Sequence, residues 1–362
     1  MSTLTLHQSL SANYFGTKHV DQGTIMRAEQ VQAFIDVTEH GSFAAAARHT
    51  GMKRSTLSAA DLADYQAMRV KPLEVALRGA RVFNLPPPTQ GLASLMILGL
   101  FDRLGVSDAE GFAHIHGLIE ATKRAFRVRD RNVTDPDRLP ADPQSFLSAA
   151  ALDSLAAGID PAQALPWPDP ASPGDTIWMG CIDREGRAVS FIQSIYWEFG
   201  SGIVLRDTGV NWQNRGISFS LDPTALQALE PGRKPFHTLN PALALFDDGR
   251  VMSYGTMGGE GQPQSQSAVF TRNVLFGQDL QEAITAPRWL LGKTWGDETT
   301  TLKLENRFDP ALIDKLKSAG HAVEVVGPYE DMMGHAGGIR LRSNGVMEGA
   351  TDSRADGTVA AI

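Results

Sequence analysis

A loop rich in proline and glycine, followed by two apolar runs, constrains the fold of this chain more than any other stretch. The helix-breaking residues of the loop are Pro170, Pro173 and Gly174. The runs 177–182 and 188–195 are β-prone, and a short polar turn containing glycine separates them. This pattern predicts a β-hairpin whose first strand opens at Thr176.

A threonine at that position has two interpretations. Threonines often open strands simply because β-branched side chains suit them, and spacing alone favours this structural role. If the Asp175–Thr176 peptide bond is cut, however, Thr176 gains a free α-amino group beside its own hydroxyl. The amine can then take the hydroxyl proton, so that one residue supplies both nucleophile and base.

Composition is that of an ordinary globular chain of 362 residues, 42% hydrophobic and 20% charged. The net charge of −8 argues against a general affinity for nucleic acid or anionic membranes. The single cysteine, Cys181, excludes an internal disulfide, and we expect it to be a small buried apolar residue. No apolar run long enough to span a membrane and no secretory signal is found, which predicts a cytoplasmic location.

Further motifs accompany Thr176 in a fixed order along the chain. They are residues 61–65, 83–91, 114–126, 199–203, 232–241, 254–261 and 347–354. Together they resemble the γ-glutamyltransferase family of N-terminal-nucleophile hydrolases over residues 61–362, and within it the oxamate-amidohydrolase-like branch. The resemblance implies an α/β (α+β) fold, a four-layer sandwich in the order helix–sheet–sheet–helix. It also implies self-cleavage between Asp175 and Thr176, giving a large-subunit region 61–175 and a small-subunit region 176–362.

The resemblance places catalytic roles on four residues. Thr176 falls on the nucleophile, and Ser194 on a hydroxyl residue that bonds and orients it; an ordinary strand serine is the alternative. Gly258 and Gly259 follow a predicted strand and precede a helix, so their amides resemble an oxyanion hole, although paired glycines often only form a turn. No lysine follows in the position that a phosphate-binding loop requires.

Five residues are expected to bind substrate. Glutamyl-specific members of the family carry an acid where Ser218 stands, an asparagine where Tyr196 stands and an uncharged residue where Arg215 stands. Arg215 can hold a carboxylate through two parallel hydrogen bonds, unless it is a surface arginine in a salt bridge. His237 and Thr238 lie where the family has two pocket-lining hydroxyl residues. The resemblance therefore favours a small anionic amide such as oxamate over a γ-glutamyl amide.

Other charged residues receive structural interpretations. His114 and His116 are two apart on a predicted helix and share no face, so no metal site and no cofactor is expected. The arginines of that helix and the residues after it are predicted to form a solvated, ion-paired end: Arg124, Arg127, Arg129 and Arg131. Asp352 and Arg354 are expected to tie the chain end by ion pairing. The segment 160–173 is predicted to be a flexible linker before the cleavage point.

The first sixty residues read differently. Residues 1–25 carry no assignable pattern. Four motifs in residues 26–60 resemble the helix-turn-helix of LysR-type transcriptional regulators, truncated near Ala60: 32–34, 39–43, 45–48 and 54–58. This gives a short helical segment in place of the family's own N-terminal region, so that the sandwich is expected to be N-terminally incomplete. No wing or dimerisation element follows, so we expect no DNA partner.

The sequence therefore predicts a threonine-nucleophile amidohydrolase acting on a small-molecule amide. The two cleaved chains are expected to stay associated, with a higher oligomer left open, and no membrane partner is expected. Two alternatives remain at this point. One is a catalytically inactive remnant of the family, and the other is a DNA-binding fusion through residues 26–60.

Overall fold

The computed structural model describes residues 65–167, 175–197, 199–205, 209–292 and 299–361. Nearly all of them lie in one compact unit, Lys53–Leu229 with Arg233–Ile362. Among these described residues, no helix combines the length and apolar character needed to cross a membrane. The regulator-like segment 26–60 lies outside the described residues.

Strands and helices are numbered here along the described chain. The strands are β1 (Leu73–Leu77), β2 (Ala80–Asn84), β3 (Asp175–Ile182), β4 (Ala188–Tyr196), β5 (Ala242–Phe246), β6 (Val251–Thr256), β7 (Trp289–Leu291), β8 (Leu302–Glu305), β9 (Val323–Val326), β10 (Ala336–Leu341) and β11 (Met347–Thr351). The helices are α1 (Gly91–Arg103), α2 (Phe112–Asn132), α3 (Ala149–Ala157), α4 (Gln262–Phe270), α5 (Leu280–Thr285) and α6 (Pro310–Ser318).

The main sheet has six strands in the order β1-β2-β5-β6-β10-β11, and every pair in it is antiparallel. Its two faces differ because side chains alternate along each strand. Tyr254 of β6 packs its ring against Phe270 of α4, with centroids 5.4 Å apart, so this face carries helices. Ser253 points the other way and donates to the carbonyl oxygen of Val189 in β4 over 2.9 Å.

Helix α1 is the centre of the core. Every residue from Gly91 to Phe101 is buried, because α2, α3, α4 and the first two strands pack around it. A Cβ on Gly99 would lie 2.8 Å from Leu152 Cδ1 of α3, so glycine permits this close approach.

Strands β3 and β4 form the predicted hairpin, which packs on the main sheet opposite the helices. The Trp178 ring fills the space above two glycines of the main sheet. A Cβ on Gly255 would overlap the ring, and one on Gly337 would lie 2.6 Å from Trp178 Cζ3. Helices, main sheet and hairpin are thus three layers of the predicted α+β sandwich, and that fold class is confirmed.

The outer face of the hairpin is apolar and exposed. Ile177 and Met179 of β3 are 55% and 48% exposed, and Val189 and Phe191 of β4 are 51% and 45% exposed. Cys181 lies on the same face and is exposed as well. The prediction of a buried Cys181 is therefore wrong, because an apolar run in a two-faced strand places alternate residues outside.

The remaining strands form a smaller sheet, in which β7 pairs antiparallel with β8 and β8 pairs parallel with β9. The segment before the nucleophile is less free than predicted. The Ala164 N–H donates to the Ala319 carbonyl over 2.8 Å, and the Leu165 N–H donates to the Glu120 carboxylate over 3.2 Å. The flexible-linker prediction is wrong for residues 160–167, and residues 168–173 lie outside the described ranges.

Candidate active site

Thr176 stands in an unbroken strand, directly after Asp175. Asp175 pairs with Tyr196 of β4, but the register shifts between Asp175 and Ile177, so the strand bulges at Thr176. Bulges of this kind re-aim a side chain next to functional sites. Thr176 is 8% exposed, and Gln262 Nε2 lies 3.4 Å from its Oγ1. The structure is thus that of the uncut chain, with the predicted nucleophile buried beside the start of α4.

The strand opposite Thr176 is strained. Tyr196 has φ of +81°, a conformation that few non-glycine residues adopt, and such strain concentrates at functional sites. Its N–H donates to Ser194 Oγ over 2.9 Å. The hairpin register places Ser194 across from the bulge. A hydrogen bond from Ser194 to Thr176, which the family resemblance implies, stays a prediction.

Arg215 provides a buried positive charge next to this corner. It begins a 3₁₀ turn, Arg215–Ser218, and is 5% exposed. Its Nη1 donates to Thr238 Oγ1 over 3.0 Å, and its Cζ lies 4.6 Å from the centre of the Tyr196 ring. Within the described part of the chain, Nη2 is buried without a hydrogen-bond partner. Burial lowers the pKa of Arg215 to about 10, so the group remains charged at neutral pH. The alternative of a surface arginine in a salt bridge is wrong.

His237 and Thr238 are held against the loop that precedes α1. The His237 N–H donates to the Pro88 carbonyl over 3.0 Å, and His237 forms a parallel bridge with Thr89. His237 Nδ1 is buried and has no hydrogen-bond partner among the described residues. Burial, followed by the charge of Arg215, lowers the pKa of His237 to about 3. The neutral ring suits hydrogen bonding to a ligand better than delivery of a proton.

Gly258 and Gly259 form the loop between β6 and α4, with φ of +122° and +51°. A Cβ on Gly258 would lie 3.2 Å from the Gly334 Cα, so a larger residue would be both strained and crowded. Among the hydrogen bonds of the described residues, neither glycine N–H has a partner. Vacant N–H groups beside a helix N-terminus can stabilise a developing oxyanion.

A buried ion-pair network lies behind this loop. Arg288 donates to the Gly334 carbonyl over 2.6 Å and pairs with the Asp352 carboxylate. Arg354 joins Asp352 to Glu305, at 3.0 Å and 2.6 Å. The predicted ion pairing of Asp352 and Arg354 is confirmed, and through Gly334 it supports the glycine loop.

Besides Gln262, three residues of the site were not identified from the sequence: Gln90, Arg129 and Glu260. Gln90 Nε2 donates to the Gly259 carbonyl over 2.7 Å and to the Thr238 carbonyl over 2.9 Å. Arg129 Nη1 donates to Gln90 Oε1 over 3.1 Å and pairs with the Glu260 carboxylate. One buried amide therefore connects the glycine loop to the segment that holds Arg215.

Arg129 also corrects the prediction of a solvated helix end. It is 4% exposed, and its guanidinium lies 4.0 Å from the centre of the Phe126 ring. Burial alone would lower the pKa of Arg129, but the carboxylates of Glu260 and Asp130 outweigh it and raise the pKa. Its partner Glu260 is 131 residues away along the chain, a separation that no local pattern reports.

Ser218 lies half-buried at the end of the turn that Arg215 begins. Among the described residues, no side-chain hydrogen bond joins Ser218 to another predicted site residue. Its substrate role stays a prediction.

One histidine cluster has the spacing of a metal site. His116, Glu120 and His321 bring ligand atoms within 4.8 Å of one another. The ammonium group of Lys123, however, lies among them, 2.7 Å from Glu120 Oε1 and 3.5 Å from His321 Nδ1. This lysine supplies the positive charge that a metal ion would bring. His114 bonds Thr271 instead, so the two helix histidines have different partners, as their spacing predicts.

Comparison with known families gives the identification. The sequence model described as gamma-glutamyltranspeptidase matches residues 25–362. The chain belongs to this family. The match extends over residues 26–60, and the resemblance of that segment to LysR-type regulators has no support. The boundary at residue 61 stays a prediction.

Two curated relatives are similar to this chain over most of its length. The oxamate amidohydrolase proenzyme of Klebsiella pneumoniae subsp. pneumoniae is 56% identical over 300 residues, covering 83% of this chain and 57% of the relative. The glutathione hydrolase-like YwrD proenzyme of Bacillus subtilis is 40% identical over 304 residues, covering 83% and 58%. The chain thus spans less than two thirds of the length of these relatives.

A solved structure supports the same fold. The cephalosporin acylase from Bacillus halodurans superposes with a TM-score of 0.76 at 33% sequence identity. The match covers 90% of this chain and 58% of that one.

Proposed function

We propose that this γ-glutamyltranspeptidase-family protein is a threonine-nucleophile amidohydrolase that matures by cutting its own chain between Asp175 and Thr176. The observation that carries the proposal is the arrangement around Thr176. A buried threonine hydroxyl opens a bulged strand, and an α4 residue contacts it. The glycine loop three residues before α4 offers unpaired N–H groups. The word "proenzyme" in the names of both relatives is consistent with maturation by cleavage.

Maturation requires a shift of the Asp175 acyl group from the Thr176 nitrogen to the Thr176 hydroxyl oxygen. Thr176 Oγ bonds to the carbonyl carbon of Asp175, the bond from that carbon to the Thr176 nitrogen breaks, and the hydroxyl proton ends on the nitrogen. Water then hydrolyses the ester, which frees the main-chain α-carboxylate of Asp175 and restores the Thr176 hydroxyl. Thr176 now carries its own amine, which acts as the base in later turnovers.

The two cleaved chains should remain associated. Strand β2 precedes the cut and pairs with β5, which follows it. Helix α1 likewise packs against α4 across the cut. The main sheet and its core therefore do not depend on the Asp175–Thr176 bond. A higher oligomer is left open.

Turnover follows from the same geometry. Thr176 attacks the substrate carbonyl, and the Gly258 and Gly259 amides hold the oxyanion. Ammonia or an amine leaves, and water releases the acyl group. Ser194 is expected to orient the nucleophile, as the family resemblance implies.

The substrate is proposed to be a small anionic amide such as oxamate. Arg215 Nη2 and His237 Nδ1 are buried donors or acceptors without partners in the described chain. Because His237 is neutral, the pocket has one positive charge from Arg215, which matches one carboxylate. Tyr196, Thr238 and Ser218 would complete the walls. The name of the Klebsiella relative supports oxamate over a γ-glutamyl amide.

Ammonia release tests this proposal. Wild-type protein should release ammonia from oxamate faster than it releases nitroaniline from γ-glutamyl-p-nitroanilide at equal concentration. Thr176→Ala protein, folded by circular dichroism, should do neither. Oxamate hydrolysis by Thr176→Ala at the wild-type rate would exclude Thr176 as nucleophile, and preference for the γ-glutamyl amide would exclude the anionic-amide assignment.

A further inference from the structure

Gln262 is the first residue of α4, and it is fully buried. Its Nε2 lies 3.4 Å from Thr176 Oγ1, the atom proposed to react. The other atom of the same amide, Oε1, has no hydrogen-bond partner among the described residues. One half of this buried side chain therefore faces the nucleophile, while the other half is unsatisfied.

An unsatisfied buried amide oxygen destabilises a folded protein, and native structures contain few of them. Gln264, two residues further along the same helix, shows the usual arrangement. Its Oε1 accepts from the Leu291 N–H over 2.8 Å, and its Nε2 donates to the Leu291 carbonyl over 3.1 Å. A third buried glutamine of α4, Gln266, also has an Oε1 without a partner among the described residues, while its Nε2 donates to Asn240. Of these glutamines only Gln262 combines such an oxygen with a contact to Thr176 Oγ1.

We propose that Gln262 is a catalytic residue of self-cleavage, an inference that rests on the proposed function. Its Nε2–H donates to Thr176 Oγ, and its Oε1 is the acceptor for the α-amino group that cleavage creates. Before cleavage, Gln262 Oε1 has no partner among the described residues, because the Thr176 α-amino group forms only when the chain is cut. A polar residue that is unsatisfied before the reaction and satisfied after it favours the product.

The donor half acts on the acyl shift. Negative charge builds on Thr176 Oγ as it gives up its proton, and formation of the new bond then passes that charge to the Asp175 carbonyl oxygen. A hydrogen bond from Nε2 favours loss of the hydroxyl proton and holds Oγ in position for the attack. The hydroxyl proton is transferred to the Thr176 nitrogen, and Gln262 itself is unchanged.

The acceptor half acts on the amine. A hydrogen bond from the α-ammonium group to Oε1 favours the charged form and raises the pKa of the amine. Loss of Oε1 should therefore move the acid limb of the kcat/KM profile of the matured enzyme to lower pH. An unchanged acid limb would overturn the acceptor role.

The test compares Gln262→Met with Gln264→Met, two apolar replacements of similar length on one helix. Gln262→Met should self-cleave about tenfold more slowly than wild type, since it lacks one donor to the reacting oxygen. Its melting temperature should be equal or higher, because no buried polar atom is left unpaired. Gln264→Met should show the opposite pattern, with a lower melting temperature and an unchanged first-order cleavage rate.

The outcomes separate this inference from the proposed function. If wild-type protein cleaves and Gln262→Met cleaves equally fast, the role of Gln262 is overturned and the proposed function stands. A Gln262→Met protein with both slower cleavage and a lower melting temperature would indicate a structural glutamine and also overturn it. If folded wild-type protein does not cleave at all, the proposed function itself fails.

Discussion

Arg215 shows how burial prepares one side chain for a ligand. Its Nη1 is held by Thr238, while Nη2 is without a partner in the described residues. A buried guanidinium without an anion destabilises the fold, so a bound carboxylate should offset that penalty. His237 adds hydrogen-bonding capacity without a second charge, because the pKa of its ring is lowered to about 3.

Arg215→Gln should therefore weaken oxamate binding. Charge-assisted hydrogen bonds contribute about 1.5–3 kcal/mol, which corresponds to a loss of roughly 10- to 100-fold in affinity. Titration calorimetry on Thr176→Ala protein measures this without turnover. Arg250→Gln is the matched control, because the partners of Arg250 in the described chain, Asp248 at 2.7 Å and the Phe246 ring at 4.5 Å, are not among the proposed site residues. Equal affinity in the Arg215 and Arg250 variants would contradict the assignment.

At the scale of elements, buried contacts join four separate segments of the site. The loop before α1, the end of α2, the residues 237–238 before β5 and the loop before α4 meet at Gln90 and Arg129. Gln90 fixes the Gly259 carbonyl and the Thr238 carbonyl with one amide group. Gln90 thereby fixes the distance between the proposed oxyanion donors and Arg215, the proposed carboxylate-binding residue.

Gln90→Leu should consequently lower kcat and raise KM together. The Gly259 loop is proposed to stabilise the transition state, and the Thr238–Arg215 pair is proposed to bind substrate. We therefore expect steady-state kinetics to show about a tenfold lower kcat and about a tenfold higher KM. Gln144→Leu is the control, since Gln144 exchanges two hydrogen bonds with Glu74 far from the site. Loss of stability in both variants with unchanged kinetics in both would show that Gln90 is only structural.

Local patterns predicted the elements well and the connections between them poorly. The hairpin at Thr176, the helix that carries His114 and His116 and the helix after Gly259 were all predicted from local patterns. Arg129 was misread as solvated because charged residues surround it in sequence, whereas its buried partners come from distant segments. Cys181 was misplaced because a half-exposed strand with apolar residues on both faces gives no alternation to read. Gln90 and Gln262 have no distinctive signal, since their roles depend on which carbonyl or hydroxyl the fold brings beside them.

For the whole molecule, buried neutral histidines tie stability to pH. Burial, followed by nearby positive charge, lowers the pKa of His114 and of His321 to about 3, from an ordinary value of 6.5. In the folded chain these two rings stay neutral, whereas in the unfolded chain they take up protons below about pH 6.5. The stabilisation is therefore complete above that pH and is lost as the pH falls from about 6.5 toward 3.

The free energy of unfolding should accordingly be lower at pH 5.5 than at pH 7.5, by on the order of 1 kcal/mol per buried histidine. Urea titrations at the two pH values measure this difference. His114→Gln should reduce the difference whatever its effect on absolute stability. A free energy of unfolding that is the same at both pH values would contradict the assignment of neutral buried rings.

The main sheet is continuous across the proposed cut, because β2 pairs with β5 on either side of it. Cleavage should therefore change the covalent chain without unfolding the molecule. Circular dichroism before and after incubation should superimpose.

Intact-mass spectrometry of folded wild-type and Thr176→Ala protein, sampled during incubation, tests self-processing most directly. Wild-type protein should convert with first-order kinetics into two fragments whose masses place the break between Asp175 and Thr176, while Thr176→Ala stays whole. Wild-type protein that keeps only the uncut mass while folded, or a Thr176→Ala protein that splits at the same bond, would contradict the central claim.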